Sequence, residues 1–101
     1  MDAAVESLAR GADLLCFDGT FWSDGELAAA GVTAPTAREM GHLPVGGADG
    51  SMAALPGLGA GRTVYVHINN TNPMLCRSST ERGQVEAAGL EIGEDGMEFL
   101  L

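Results

Sequence analysis

The chain has 101 residues, 46% of them apolar, with five Lys+Arg (all arginine) and fourteen Asp+Glu, for a formal net charge of −9 and a mean hydropathy of +0.11. That is enough apolar material for one small core, and too acidic a balance for a surface that tracks phosphate backbones. No apolar run reaches the ~18–20 residues of a membrane-crossing helix, no basic segment precedes an apolar one as in a secretory leader, and two cysteines, Cys16 and Cys76, are too few for a disulfide scaffold. The expectation is a cytoplasmic α/β chain.

Glycine is over-represented: fifteen positions, about twice the usual ~7% share. They are scattered between apolar stretches with no fixed period, so they read as turn and cap positions.

In chain order, Ala3, Ala4, Val5, Leu8 and Ala9 carry helical spacing, stopped at Gly11. Residues 13–18, Asp-Leu-Leu-Cys-Phe-Asp, form a short continuous apolar run, as in a strand buried on both faces, with Cys16 an inert core thiol. A helical fragment covers 24–30. Residues 32–50 read as loop, broken by Pro35, Pro44 and Gly46-Gly47, with a helical turn over 36–41. Ser51 is placed to cap a helix that Pro56 and Gly57 end early. Residues 63–68, Thr-Val-Tyr-Val-His-Ile, are the clearest strand, running into the polar turn Asn69-Asn70-Thr71-Asn72-Pro73. Ser79 caps a helix to Ala88, closed by Gly89. The end, 90–92 and 97–101 around Asp95-Gly96, reads as a hairpin. Strands buried on both sides, in a chain with little to cover a second sheet face, imply half of a larger sandwich and possible self-association through the bare face.

Three residues stand out for chemistry. Asp18 closes an apolar strand; His42 sits in a loop before Leu43-Pro44; His67 ends a strand before the asparagine run. Strand ends and the loops after them are where binding groups collect in open α/β sheets, and neutral imidazole is the commonest metal ligand. Each also has an ordinary structural role: Asp-Gly is a common turn, a loop histidine can cap a helix, and a strand-end histidine can be a satisfied core group. No His-x-His or Cys-x-x-Cys spacing links them, so the residues alone leave both readings open.

Residues 17–22 (Phe-Asp-Gly-Thr-Phe-Trp), 38–44 (Arg-Glu-Met-Gly-His-Leu-Pro), 49–51, 66–73 (Val-His-Ile-Asn-Asn-Thr-Asn-Pro), 85–89 and 95–98 together resemble the carboxyl-terminal third of the pyrroloquinoline quinone (PQQ) biosynthesis protein B family, of metallo-β-lactamase fold. The resemblance covers essentially the whole chain in collinear order. It implies an α/β fold of the α+β sandwich type, with residues 1–101 as the carboxyl-terminal part of one αββα domain, incomplete alone. It implies Asp18 and His67 as metal ligands, His42 as a proton-handling catalytic residue, and Asn69 and Asn70 as groups orienting His67 or substrate. It further implies iron (Fe²⁺) or zinc, with other ligands from an amino-terminal half absent here. The parent protein is expected to hydroxylate the tyrosine ring of a glutamate–tyrosine cross-linked precursor of PQQ, as an iron-dependent oxygenase. The alternative is a carrier moving PQQ or its precursor toward the periplasm without catalysis. With two ligands at most, the isolated chain is expected to be inactive.

Overall fold

A computed structural model describes residues 7–94. Among them a three-stranded, all-parallel sheet runs in the order β1 (Leu14–Asp18), β2 (Arg62–Val66), β3 (Glu91–Ile92). The helices are α1 (Glu26–Ala29), α2 (Ser51–Ala54) and α3 (Thr80–Ala87), with 3₁₀ turns at Leu55–Leu58 and Pro73–Leu75. This is the α/β class expected. The β1–β2 register pairs Leu14 with Arg62 and, at the other end, Asp18 with Val66, so both strands deliver their carboxyl ends to one edge of the sheet.

Paired residues in register share a face. Leu15 and Phe17 of β1 therefore lie with Thr63 and Tyr65 of β2 and Ile92 of β3. This is the core face: Tyr65 and Ile92 cluster with Val45, Leu55, Met74, Val85 and Leu90, and Leu15 and Phe17 pack against them. On the opposite face Arg62 grips Glu91 through two hydrogen bonds, Nε to Oε2 at 2.8 Å and Nη2 to Oε1 at 2.6 Å. That ion pair holds the Glu91 carboxyl below the usual carboxylate range.

Cys16, on that same opposite face, is exposed. The expectation of a core thiol in a strand buried on both sides is therefore corrected. Val64 of the central strand is buried on that face, but β1 has one neighbouring strand among the described residues, and none of them covers Cys16.

Other boundaries shift for local reasons. The helix at 51–54 begins one residue earlier than expected: Gly50 occupies the cap position without a side-chain bond, and Ser51 is its first residue. The Ser51 hydroxyl faces inward and lies 2.8 Å from the Tyr65 hydroxyl, both groups buried. The second strand stops at Val66, two residues short of the reading from β-propensity, because His67 turns into the left-handed region (φ +56°). Ser79 does cap α3, its side chain accepting the Arg82 amide at 3.0 Å. The expected hairpin partner 97–101 and most of the first expected helix lie outside the described residues.

Burial pushes the Tyr65 phenol up to about 12, against a smaller opposing pull from the Ser51 hydrogen bond. The folded state thus favours the neutral phenol relative to the unfolded chain, whose tyrosine ionises near 10. This contribution is complete below pH ~10 and is lost as pH rises toward ~12, a loss of about 2–3 kcal/mol. Unfolding midpoints in urea should fall over that window and fall less in Y65F; equal slopes in both proteins would contradict the assignment.

Candidate functional site

The chain comes together at the carboxyl ends of β1 and β2. Asp18 is the last residue of β1, and Gly19 follows it with no room for a side chain: a Cβ there would sit 2.9 Å from both the Met74 methyl and the Tyr65 Cβ. Glycine lets the loop after β1 lie flat on the core, which carries Asp18 into a half-buried position at the sheet edge.

Both oxygens of Asp18 are engaged. Oδ1 accepts the Thr20 hydroxyl at 2.6 Å, and Oδ2 lies 2.9 Å from His42 Nδ1. A carboxylate offers about four lone-pair positions, so each oxygen keeps one free after these bonds. His42 comes from the loop 24 positions on. Its backbone amide is tied to the Ala37 carbonyl at 2.9 Å, and its ring meets the Phe21 ring edge-on, 5.6 Å between centroids at 85°. With Nδ1 turned to Asp18, Nε2 is the ring nitrogen left to face outward, and it has no hydrogen-bond partner among the described residues. A carboxylate that fixes the ring and tautomer of an imidazole while leaving Nε2 open is the arrangement used to orient both general bases and ligands.

His67 enters the same edge from β2. Its predecessor Val66 accepts the Gly19 amide at 2.8 Å, and two residues later the Asn69 amide donates to the Thr20 carbonyl at 3.0 Å. The loop bearing His67 is thus bound on both sides to the loop bearing Asp18. His67 is exposed and in the left-handed conformation. It makes no ion pair with Asp18, which is bonded to His42 instead.

Of the residues singled out from the sequence, Asp18 and His42 are in direct contact and His67 is their neighbour across the strand ends. Asn69 is part of the loop's internal bonding, its Nδ2 donating to the Thr71 hydroxyl at 2.6 Å. Asn70 is exposed and reaches none of them. Cys76 is bonded to Ser78, which with nearby amides draws its thiol below the ordinary value.

Three participants escaped the sequence reading, Thr20, Glu26 and Thr71, while Asn72 stands in the asparagine run read as turn-formers or ligand-orienting groups. Thr20 clamps Asp18. Asn72, buried, donates to the Gly19 carbonyl at 3.0 Å and accepts the Met74 amide at 3.0 Å. Glu26, also buried, accepts the Trp22 amide at 2.7 Å and the Thr71 hydroxyl at 2.6 Å. Thr71 stood in a run that suggested only a polar turn. Glu26 carried no signal, because one of its two partners, Thr71, lies 45 positions away.

As a metal centre these donors are incomplete. Among the described residues no three His, Cys, Asp or Glu side chains converge closely enough to hold a metal ion. Structural and catalytic centres ordinarily need three or four protein ligands, so this edge alone does not make one.

Comparison with known proteins agrees with that incompleteness. Residues 1–68 match the family model of the beta-lactamase superfamily domain. Coenzyme PQQ synthesis protein B of Rhodopseudomonas palustris is 52% identical over 97 residues, covering 96% of this chain and 32% of that protein. The protein of the same name from Rhizobium meliloti is 48% identical over 101 residues, covering 100% of this chain and 33% of its own length. The 1.98-Å crystal structure of Zn²⁺-bound PqqB from Methylobacterium extorquens superposes with a TM-score of 0.95 at 42% identity, over 100% of this chain and 34% of that one. The chain therefore spans about a third of the length of the curated relatives it matches. It belongs to the beta-lactamase superfamily and, within it, shares sequence and fold with about a third of coenzyme PQQ synthesis protein B.

Proposed function

We propose that the chain supplies one side of the metal-binding edge of a PQQ-biosynthesis protein, with Asp18 and His67 as ligands and the remaining ligands contributed by parts of the protein outside these 101 residues. The observation that carries this reading is the joined pair of loops at the carboxyl ends of β1 and β2, which presents a carboxylate and two imidazoles at one sheet edge. The relative from Methylobacterium extorquens binds zinc; for the protein to which this chain corresponds, iron is the metal we propose. The reaction proposed for the whole protein is hydroxylation of the tyrosine ring of the cross-linked precursor.

In this reading the chain's own residues divide the work. Asp18 offers its free lone pairs outward while its other positions are held by Thr20 and His42. His67 offers a neutral nitrogen. His42 holds or moves a proton at Nε2, its ring locked by Asp18 at one nitrogen and by Phe21 at the edge.

His42→Ala in the full-length protein tests this division. The expected result is unchanged metal content with turnover of the precursor slowed by about 10²-fold, the lower range of a lost acid–base group. Loss of metal would make His42 a ligand. An unchanged rate would remove it from the chemistry, and precursor binding without turnover in the unmutated, metal-loaded protein would favour a carrier.

A further inference from the structure

His67 is the one non-glycine residue among those described with a positive φ. For an L-residue the left-handed region is strained, and such conformations persist only where the surroundings over-determine them. The surroundings here are a chain of polar contacts whose donors converge from both sides on one carboxylate. Asn69 Nδ2 donates to Thr71 Oγ1 at 2.6 Å, Thr71 Oγ1 donates to Glu26 Oε2 at 2.6 Å, and the other Glu26 oxygen accepts the Trp22 amide at 2.7 Å. The chain begins two residues after His67 and ends in the loop that follows Asp18.

Both sides meet at the Glu26 carboxylate, only 6% exposed, with no arginine paired to it among the described residues. A buried acidic group costs free energy unless hydrogen bonds satisfy it, and nothing in the core packing requires a charge there. What the charge provides is direction: an acceptor-only group forces the Thr71 proton toward it, which leaves the Thr71 lone pairs for Asn69. Charge-assisted bonds of this kind are short and about twice as strong as neutral ones.

We propose that Glu26 is a positioning residue for His67, acting through Thr71 and Asn69 to hold the strained turn against the Asp18–Trp22 loop. The inference rests on the reading of His67 as a functional group at that edge. Glu26→Gln keeps the shape and removes the direction. The Gln amide nitrogen must then face either the Trp22 amide, donor against donor, or Thr71, whose own proton loses its acceptor.

The test is ¹H–¹⁵N NMR of the 101-residue chain in E26Q, T71V and T71S. In E26Q and T71V the Asn69 amide, bonded to the Thr20 carbonyl, should exchange about tenfold faster relative to the Val85 amide of α3, which reports global opening. The His67 backbone and imidazole signals should shift in the same two variants, and T71S, which keeps the hydroxyl, should match the parent. Unchanged His67 signals and Asn69 exchange in E26Q and T71V would overturn the proposal even if both variants were less stable overall. Should E26Q fail to fold, the contrast between T71V and T71S decides alone. Failure of the ligand reading is separable, because it is read from metal retention in a His67 variant and not from these signals.

Discussion

Gly50→Ala should unfold the chain at a much lower temperature than its parent. A Cβ at Gly50 would lie 2.1 Å from the Gly46 carbonyl oxygen and 2.5 Å from that of Val45. Both are backbone atoms, so no side-chain rotation relieves the clash. The segment they belong to is closed on itself by the Ser51 amide to the Pro44 carbonyl (2.9 Å) and the Met52 amide to the Val45 carbonyl (3.0 Å). It is also tied to the first loop by the amides of Val45 and Gly46, which donate to the carbonyls of Phe21 and Trp22 at 3.0 and 2.9 Å. Moving any of these groups breaks bonds that have no alternative partner in the core.

A cost of about 3 kcal/mol is the expected order, the upper range for forced backbone shifts in packed regions. At roughly 4–8 °C per kcal/mol for a domain of this size, the midpoint should drop by about 12–24 °C. Gly57→Ala is the control: no atom lies within 4 Å of a Cβ there, and exposed substitutions of that kind stay within ~0.5 kcal/mol. Thermal unfolding followed by circular dichroism separates the two. Equal midpoints would show that the 44–51 loop is not the rigid support described. Because His42 precedes this loop by two residues, the same variant should also disturb the His42–Asp18 bond.

The sequence was most informative where the chain's local chemistry decides the structure. The apolar run ending at Asp18 is a strand because it is short, continuous and stopped by Asp-Gly. The β-branched and aromatic run at 63–66 is a strand for the same kind of reason, and Ser79 caps α3 by a bond within four residues. Asp18, His42 and His67 were legible as candidates because strand ends and loops in α/β sheets carry binding groups. What pairs with what was not legible. Ser51 had the chemistry of a helix cap, yet a buried phenol fourteen positions away took its hydroxyl. Cys16 sat in an apolar run, but whether its face is covered depends on a layer the run itself does not encode. His67 looked like strand by propensity, and its turn is held by hydrogen bonds on both sides to the loop that follows Asp18. Glu26, in an otherwise unremarkable Ala-rich fragment, gave no sign of burial at all. In each case a tertiary contact overrode a local preference.

The largest functional effect expected is that of His67→Ala. Among the described residues the chain offers fewer than three converging donors, so each proposed ligand is a large share of what this side of the site contributes. A metal site that loses one of about three protein ligands keeps neither its affinity nor its geometry. An alanine also removes the imidazole without forcing the backbone to move, since the loop around it is held by main-chain bonds at Gly19 and Asn69. Folding is therefore expected to survive where metal binding does not.

Metal content after anaerobic Fe(II) loading tests the central claim most directly, measured on the full-length protein, on its His67→Ala variant and on the 101-residue chain by itself. The account predicts roughly one iron per full-length protein, loss of that iron in the variant, and no stoichiometric retention by the isolated chain. Full iron retention in the His67→Ala protein would contradict it.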